Sequence, residues 1–348
     1  MELASIINQY YDSFMAKHSD TLLPEHLKAI NAIRRCRTPD SGEVFTMCKQ
    51  CGYSQWNPMS CGHRSCPKCQ NHETSRWLDR QQQKLLPAPY FMVTFTLPYS
   101  FRPLARYHQK EIYPFLFSCA ASTLKDFAAN PKKLGAKAGM TIVLHTNTRN
   151  LDFHPHVHVI IPGGGVDKKS KQWKKKKGKY LFNEKALARV FRARFLNELN
   201  NAGFSIPQNA PKKWVVDCQY VGTGITALKY LARYLYRGVI SEKNIIANKD
   251  GKVTFKYVDN NKIVQYRTLD GEDFINLLLQ HVLPRGFRRV RDYGFLHSNA
   301  KKIRHLIQVI LKVVIDKIPQ RSRPAFQCAF CKAPMAVVKF RKPVCNSG

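Results

Sequence analysis

The stretch His154-Pro155-His156-Val157-His158-Val159-Ile160-Ile161 constrains the fold more tightly than any other in this chain. Successive side chains of a strand point to opposite faces, so this alternation predicts a half-buried strand with imidazoles on one face and aliphatic groups on the other. His156 and His158 then lie about 6.8 Å apart at Cα and can aim at one metal ion. His154 shares that face, but on a straight strand it lies about 13.6 Å from His158, too far to join the same ion unless Pro155 bends the chain. Residues 140–145 read as a second strand. If 146–152 make the turn, His145 falls opposite His154, so His145 and His154 are both candidates for a third ligand. Gly163-Gly164-Gly165 allow a tight turn or a close approach of DNA, and alone establish neither.

Other segments fit the same layered architecture. Residues 90–97 (YFMVTFTL) are β-branched and aromatic and read as a buried strand. Residues 214–221 read as a fourth strand, and 253–257 with 263–267 as a hairpin turning at Asp259-Asn260-Asn261. A helix capped by Asn183 carries Leu187, Phe191, Phe195 and Leu199 at four-residue spacing and ends near Gly203. Gly222 to Gly224 lead into a helix over 225–237. Residues 1–37, and most of the chain after 270, also read as helical. Strands separated by helices, with a hairpin among them, predict an α+β fold: an antiparallel sheet covered by helices.

Cysteines cluster where a hydrophobic core is least available. Five of the 11 lie between Cys48 and Cys69, and two more form Cys328-x2-Cys331. With no export signal found, paired C-x2-C units read as metal ligands and not disulfides, which implies a reducing cytoplasm. Cys48-x2-Cys51, then 14 residues, then Cys66-x2-Cys69 predicts one tetrahedral zinc on those four thiolates. Such an ion contributes folding energy to a polar segment. Cys36, Cys61 and His63 are left over. Cys61 and His63 can substitute as ligands or build a second site. His26 and Cys36, about 15 Å apart along a continuous helix, cannot share an ion. Cys36 reads equally well as a small buried apolar residue. Cys328-x2-Cys331 is half a zinc site that needs a ligand from elsewhere.

Lys and Arg number 57 against 23 Asp and Glu, a net charge of +34. Self-repulsion of that size costs stability, and a polyanionic partner explains it. A membrane surface is the rival partner, but no 18-residue apolar run is present, so nucleic acid is expected. The lysine-rich loop 168–179, with Trp173, Lys174 and Lys175, suits backbone contact and base stacking on single-stranded DNA. Its bland alternative is a solvated loop. On the helix over 225–237, Tyr230 and Tyr234 share a face about 6 Å apart. Arg233 and Arg237 follow each tyrosine by three residues, near enough to meet phosphate. Tyrosines at that spacing are ordinarily core aromatics. Beside a metal-binding His pair they become candidate nucleophiles.

Together these pieces resemble the two-tyrosine HUH rolling-circle transposases of bacterial insertion sequences. The resemblance runs over roughly 24–300, through Cys36-Arg37-Thr38, the Cys61 to Cys69 segment, YFMVTFTLP at 90–98, HPHVHVIIPGGG at 154–165, Val190-Phe191-Arg192, and 230–237. It continues in HVLPRGF at 281–287 and RDYG at 291–294. The resemblance implies that His156 and His158 are metal ligands and that Tyr230 and Tyr234 are nucleophiles. It also implies an HUH nuclease sheet with the His pair on a central strand. Relatives tend to carry His before each C-x2-C, where this chain has Glu43 and Ser65. The expected organisation is an N-terminal helix and zinc-binding domain (1–85), a single-strand DNA nuclease domain (86–270) and a helical C-terminal region (271–348). Expected cofactors are structural Zn²⁺ and a catalytic Mg²⁺ or Mn²⁺, of which Mn²⁺ accepts imidazole more readily. Expected partners are single-stranded DNA and hairpin or duplex DNA at element ends, in a bacterial cytoplasm at the nucleoid. A replication initiator or relaxase would share the chemistry. A non-catalytic zinc-finger DNA-binding protein would leave the His strand unexplained.

Overall fold

Residues 153–162 form the strand their alternation demands, and it lies in the middle of the main sheet. The computed structural model describes residues 1–69, 71–167, 169–235, 238–315, 318–319 and 321–342; the side chains of 233–235 lie outside that description. In chain order, helices α1 (Leu3–His18) and α2 (Pro24–Arg34) precede a hairpin of β1 (Glu43–Cys48) and β2 (Ser54–Pro58), then helix α3 (Asn71–Gln82). Strand β3 (Tyr90–Thr96) and helices α4 (Arg102–Tyr107) and α5 (Gln109–Ala129) lead to β4 (Met140–Asn147) and β5 (Phe153–Pro162). Next come β6 (Gly164–Val166), β7 (Trp173–Lys175), α6 (Glu184–Asn201), β8 (Val216–Tyr220) and α7 (Ile225–Leu235). The last group is β9 (Ile245–Lys249), β10 (Lys252–Val258), β11 (Val264–Asp270), α8 (Gly271–Leu279), β12 (Val290–Tyr293), α9 (Lys301–Leu311) and β13 (Met335–Arg341).

Among the described residues, β12-β4-β5-β3-β8 form the central antiparallel sheet, so the architecture is α+β as expected. Its two faces have different jobs. One face packs Phe91, Val93, Phe95, Val157, Val159 and Ile161 onto α5 and α6, through Leu116, Leu124, Phe191 and Phe195. The other packs Val143 and Ile160 under α7, through Leu228 and Leu231. Helix α6 starts where Asn183 accepts the Ala186 N–H at 2.9 Å, an N-cap that satisfies one of the orphan donors of the first turn.

Several departures from the sequence reading have simple causes. The N-terminal helix is broken into α1 and α2, with Pro24 at the first turn of α2, where a missing N–H costs nothing. The long buried helix α5 lies in a stretch where the reading places no element. Residues 1–85 do not close on a core of their own: Ile6, Phe14 and Ile30 pack with Val253, Phe255 and Phe274. The chain after 270 is not purely helical either. Strand β12 extends the central sheet beside β4, and β13 pairs antiparallel with β1 at the other end of the chain. The hairpin over 252–270 is present, with β9 as a third strand. None of the described helices is long and apolar enough to cross a membrane.

Candidate metal centre

Three imidazoles meet where β4 and β5 run side by side. The register pairs His145 with His156, and not with His154 as the sequence reading has it; the alignment shifts by one position at the irregularity between His145 and Asn147. A residue directly across a ladder is closer than one two positions along the same strand, about 5 Å against about 6.8 Å. That pairing puts His145 in the group, while His154 lies on the far side of His156 from His158 and pairs its ring with Arg102. His145, His156 and His158 each offer a ring nitrogen within 4.8 Å of the others.

Each ring is held by a neighbour. His156 Nδ1 donates to the His154 carbonyl at 2.7 Å, which leaves Nε2 as the lone-pair nitrogen. His158 Nδ1 meets Thr94 Oγ1 at 2.9 Å. The two Nε2 atoms face each other at 3.1 Å. Two bonds of about 2.1 Å at a right angle to one ion would place their donor atoms about 3 Å apart, so the donor set fits a divalent cation. All three rings are almost fully buried, and burial is the largest influence on each. It pushes His145 well below the ordinary imidazole range, with the neighbouring rings adding to the effect, and His158 down to about 3. Neutral imidazoles are the ligand form. His154 instead accepts from the Arg102 guanidinium, and burial lowers it to about 4.

Helix α7 brings Tyr230 to the same place. Leu228 and Leu231 on its inner face pack on the sheet, which turns Tyr230 toward the imidazoles. Its ring centroid is 6.1 Å from His158 and 6.4 Å from His145. All four side chains line one open groove of about 1050 Å³, with Asp217, Gln219, Asn147, Arg149 and Asn260 also along it. Tyr234 lies on α7, but its side chain and that of Arg233 are outside the described residues, as is Arg237 altogether. Sequence reasoning missed Thr94, whose place opposite His158 in the β3–β5 register was the available signal.

The expectation of one zinc on Cys48, Cys51, Cys66 and Cys69 does not survive the geometry. The four divide between two groups: Cys36 with Cys61, Cys66 and Cys69, and Cys48 and Cys51 with Cys328 and Cys331. The hairpin of β1 and β2 carries Cys48 and Cys51 away from the turn that holds 61–69, and Cys36 at the end of α2 takes their place. In the first group Sγ atoms lie 3.5 Å (Cys36–Cys69) and 3.6 Å (Cys61–Cys69, Cys66–Cys36) apart. Four zinc–sulfur bonds of about 2.3 Å give a tetrahedron edge of about 3.8 Å, so this donor set also fits its ion. His63 is not in the group; its Nδ1 accepts the Ser65 N–H at 3.2 Å.

In the lysine-rich segment, Trp173 is half-buried, its ring 5.9 Å from Phe295 and packed over Gly164, where an added Cβ would come within 2.4 Å. The ring packs on Phe295 with part of its surface left exposed. Gly164 makes room for that ring, and Gly165 for the neighbouring backbone, since a Cβ on Gly165 would sit 2.4 Å from the Lys137 carbonyl oxygen. Lys174 pairs with Asp167 at 2.7 Å. Lys175 is exposed, beside Lys176, Lys177 and Lys179 along a second groove.

Residues 139–303 match the family described as "Putative transposase", and residues 6–97 match the IS91-type transposase zinc-binding domain. The chain is 34% identical over 325 residues to a Sinorhizobium fredii protein of that same description, covering 86% of this chain and 81% of the relative. It is 27% identical over 295 residues to the transposase for insertion sequence element IS801 of Pseudomonas savastanoi pv. phaseolicola, covering 78% of this chain and 70% of the relative. Among solved structures it is similar to the conjugative relaxase TrwC in complex with mutant OriT DNA, at 17% identity and a TM-score of 0.28, over 65% of this chain and 74% of that one.

Proposed function

This chain belongs to the IS91-type transposases with an N-terminal zinc-binding domain, and from that premise we propose that it cuts and rejoins single-stranded DNA at element ends, as a rolling-circle transposase, with Tyr230 as a nucleophile. One observation carries the proposal: the Tyr230 ring lies 6.1 Å from His158 and 6.4 Å from His145, two of three converging imidazoles in an open groove. A divalent cation, Mg²⁺ or Mn²⁺, held by His145, His156 and His158 would neutralise charge on a non-bridging phosphate oxygen.

The Tyr230 oxygen attacks phosphorus in line, the bond to the 3′ oxygen breaks, and that oxygen leaves as a 3′-hydroxyl once it takes up a proton. The product is a 5′-phosphotyrosine. Ester bonds are exchanged one for one, so a 3′-hydroxyl can reverse the step without ATP. A phenol with an ordinary pKa near 10 needs help to ionise before it can attack. In this reading Tyr234, one helical turn on, takes the second strand end, and Arg233 and Arg237 meet phosphates. Lys174 and Lys175 belong to the basic arm that guides the strand. Zinc on Cys36, Cys61, Cys66 and Cys69 holds the turn over 61–69 against Ile30 and Ile33.

The test is incubation with single-stranded oligonucleotides carrying element ends, in Mn²⁺, followed by mass spectrometry of tryptic peptides. A DNA adduct on the peptide containing Tyr230 is expected. Adduct formation that persists in the Tyr230→Phe/Tyr234→Phe double variant would remove the assignment.

A further inference from the structure

The two C-x2-C units that flank almost the whole chain fold into the same local shape. In the first, the Cys48 N–H donates to the Tyr53 carbonyl at 2.8 Å and the Gly52 N–H to the Cys48 carbonyl at 3.0 Å. In the second, the Cys328 N–H donates to the Ala333 carbonyl at 2.9 Å and the Lys332 N–H to the Cys328 carbonyl at 3.1 Å. The residue after the second cysteine is left-handed in both, Gly52 at φ 75° and Lys332 at φ 60°. The two turns therefore share one backbone shape, with glycine at the left-handed position in one and lysine in the other.

The sulfurs are treated alike as well. Cys48 Sγ accepts backbone N–H groups of Gln50 and Cys51, and Cys328 Sγ those of Phe330 and Cys331. Cys51 Sγ accepts from Tyr53, and Cys331 Sγ from Ala333. Backbone donors of the same kind thus face the sulfurs of both turns. Face to face, their sulfurs lie 3.4 Å (Cys48–Cys331), 3.5 Å (Cys51–Cys328) and 3.6 Å (Cys331–Cys51) apart. Those separations are well beyond the roughly 2.05 Å of a disulfide and close to the roughly 3.8 Å edge of a zinc tetrathiolate. Beside the β1–β13 ladder the apolar cluster at the turns is small: Cys48, Cys328 and Met335, with Tyr53 and Ala333 at the margin.

We infer that Cys48, Cys51, Cys328 and Cys331 hold a second zinc ion, separate from that of Cys36, Cys61, Cys66 and Cys69, which clamps the C-terminal strand β13 to β1. Cys328 and Cys331 lie outside both stretches matched to the family, so the second ion does not follow from membership. Neither does it depend on the cleavage chemistry. A tetrahedral four-sulfur site with no room for water serves as a staple and not as a catalyst. Strand β13, which leaves Val337, Val338 and Phe340 exposed, then stays in register with β1 through the metal at its start.

The experiment is metal analysis of the full chain purified under reducing conditions. Two zinc ions per chain are expected, and one in the Cys328→Ser/Cys331→Ser variant, with circular dichroism of the central domain unchanged. Cobalt substitution should give a thiolate charge-transfer band that the same variant roughly halves. Should the variant fold poorly, alkylation of the unmodified protein replaces it. Cys328 and Cys331 should resist N-ethylmaleimide until a chelator is added, and proteolysis within 318–342 should then accelerate. Equal zinc content in the two proteins, one ion in the unmodified chain, or alkylation of Cys328 and Cys331 without a chelator would each overturn the inference.

Discussion

His145 and His156 stand directly opposite each other on neighbouring strands, and that pairing, more than the spacing along β5, selects which imidazoles share a metal. His145→Ala is expected to weaken Mn²⁺ binding by more than the roughly 10–100-fold that loss of an outer partner causes. His154→Ala should leave affinity near the unmodified value, because its ring faces Arg102 and its backbone carbonyl remains. Calorimetric titration with Mn²⁺ compares the two. The reverse order of effects would return His154 to the ligand set.

Thr94→Val should weaken the same ion by roughly 10–100-fold, because the hydroxyl 2.9 Å from His158 Nδ1 fixes that ring's orientation. Cleavage measured against Mn²⁺ concentration should recover at high metal. A loss that no metal concentration restores would point to a different role for the hydroxyl.

Gly224 precedes α7 at φ +84°, and an added Cβ would come 2.8 Å from the Tyr90 ring. Gly224→Ala therefore meets both a disfavoured backbone and a buried aromatic. A loss of about 1–3 kcal/mol is expected in urea unfolding. An unchanged midpoint would show that the start of α7 can shift freely.

His281 is buried between the Leu151 carbonyl, to which Nε2 donates at 2.8 Å, and the Thr146 hydroxyl, 3.2 Å from Nδ1. Burial is the main reason its pKa falls from 6.5 to about 4. The unfolded chain therefore takes up this proton first as pH falls. Stability from this group is intact above pH 6.5, declines by up to about 1.4 kcal/mol per unit below it, and is lost by about pH 4. His281→Gln keeps a donor for Leu151 without titrating, so the variant should show a shallower decline between pH 7 and 5 in urea unfolding. Parallel declines would mean that other groups carry the acid sensitivity.

The parts of the site that depend on local periodicity were legible beforehand. Alternation identified β5 and the shared face of His156 and His158, and Asn183 marked the start of α6. The parts set by long-range pairing were not. A two-position difference in the β4–β5 register decides between His145 opposite His154 and His145 opposite His156, and no residue in the intervening turn announces the irregularity found there. The cysteines show the same limit. Spacing shows which residues can form a two-thiolate turn, but not which turn meets which. Helix α5 was hidden for a different reason: with Ile112, Leu116, Ala120, Leu124 and Ala128 all buried along with many neighbours, it has no polar face broad enough to produce a periodic signal.

Strand β1 sits between β2 and β13, yet β2 follows it at once and β13 comes from the far end of the chain. On the ribosome the hairpin therefore emerges with one side of β1 bare, and it stays so until residues 335–341 have been made. An open strand edge invites pairing with other chains. A product that stopped before residue 335 would keep that edge uncovered and open to pairing with other chains.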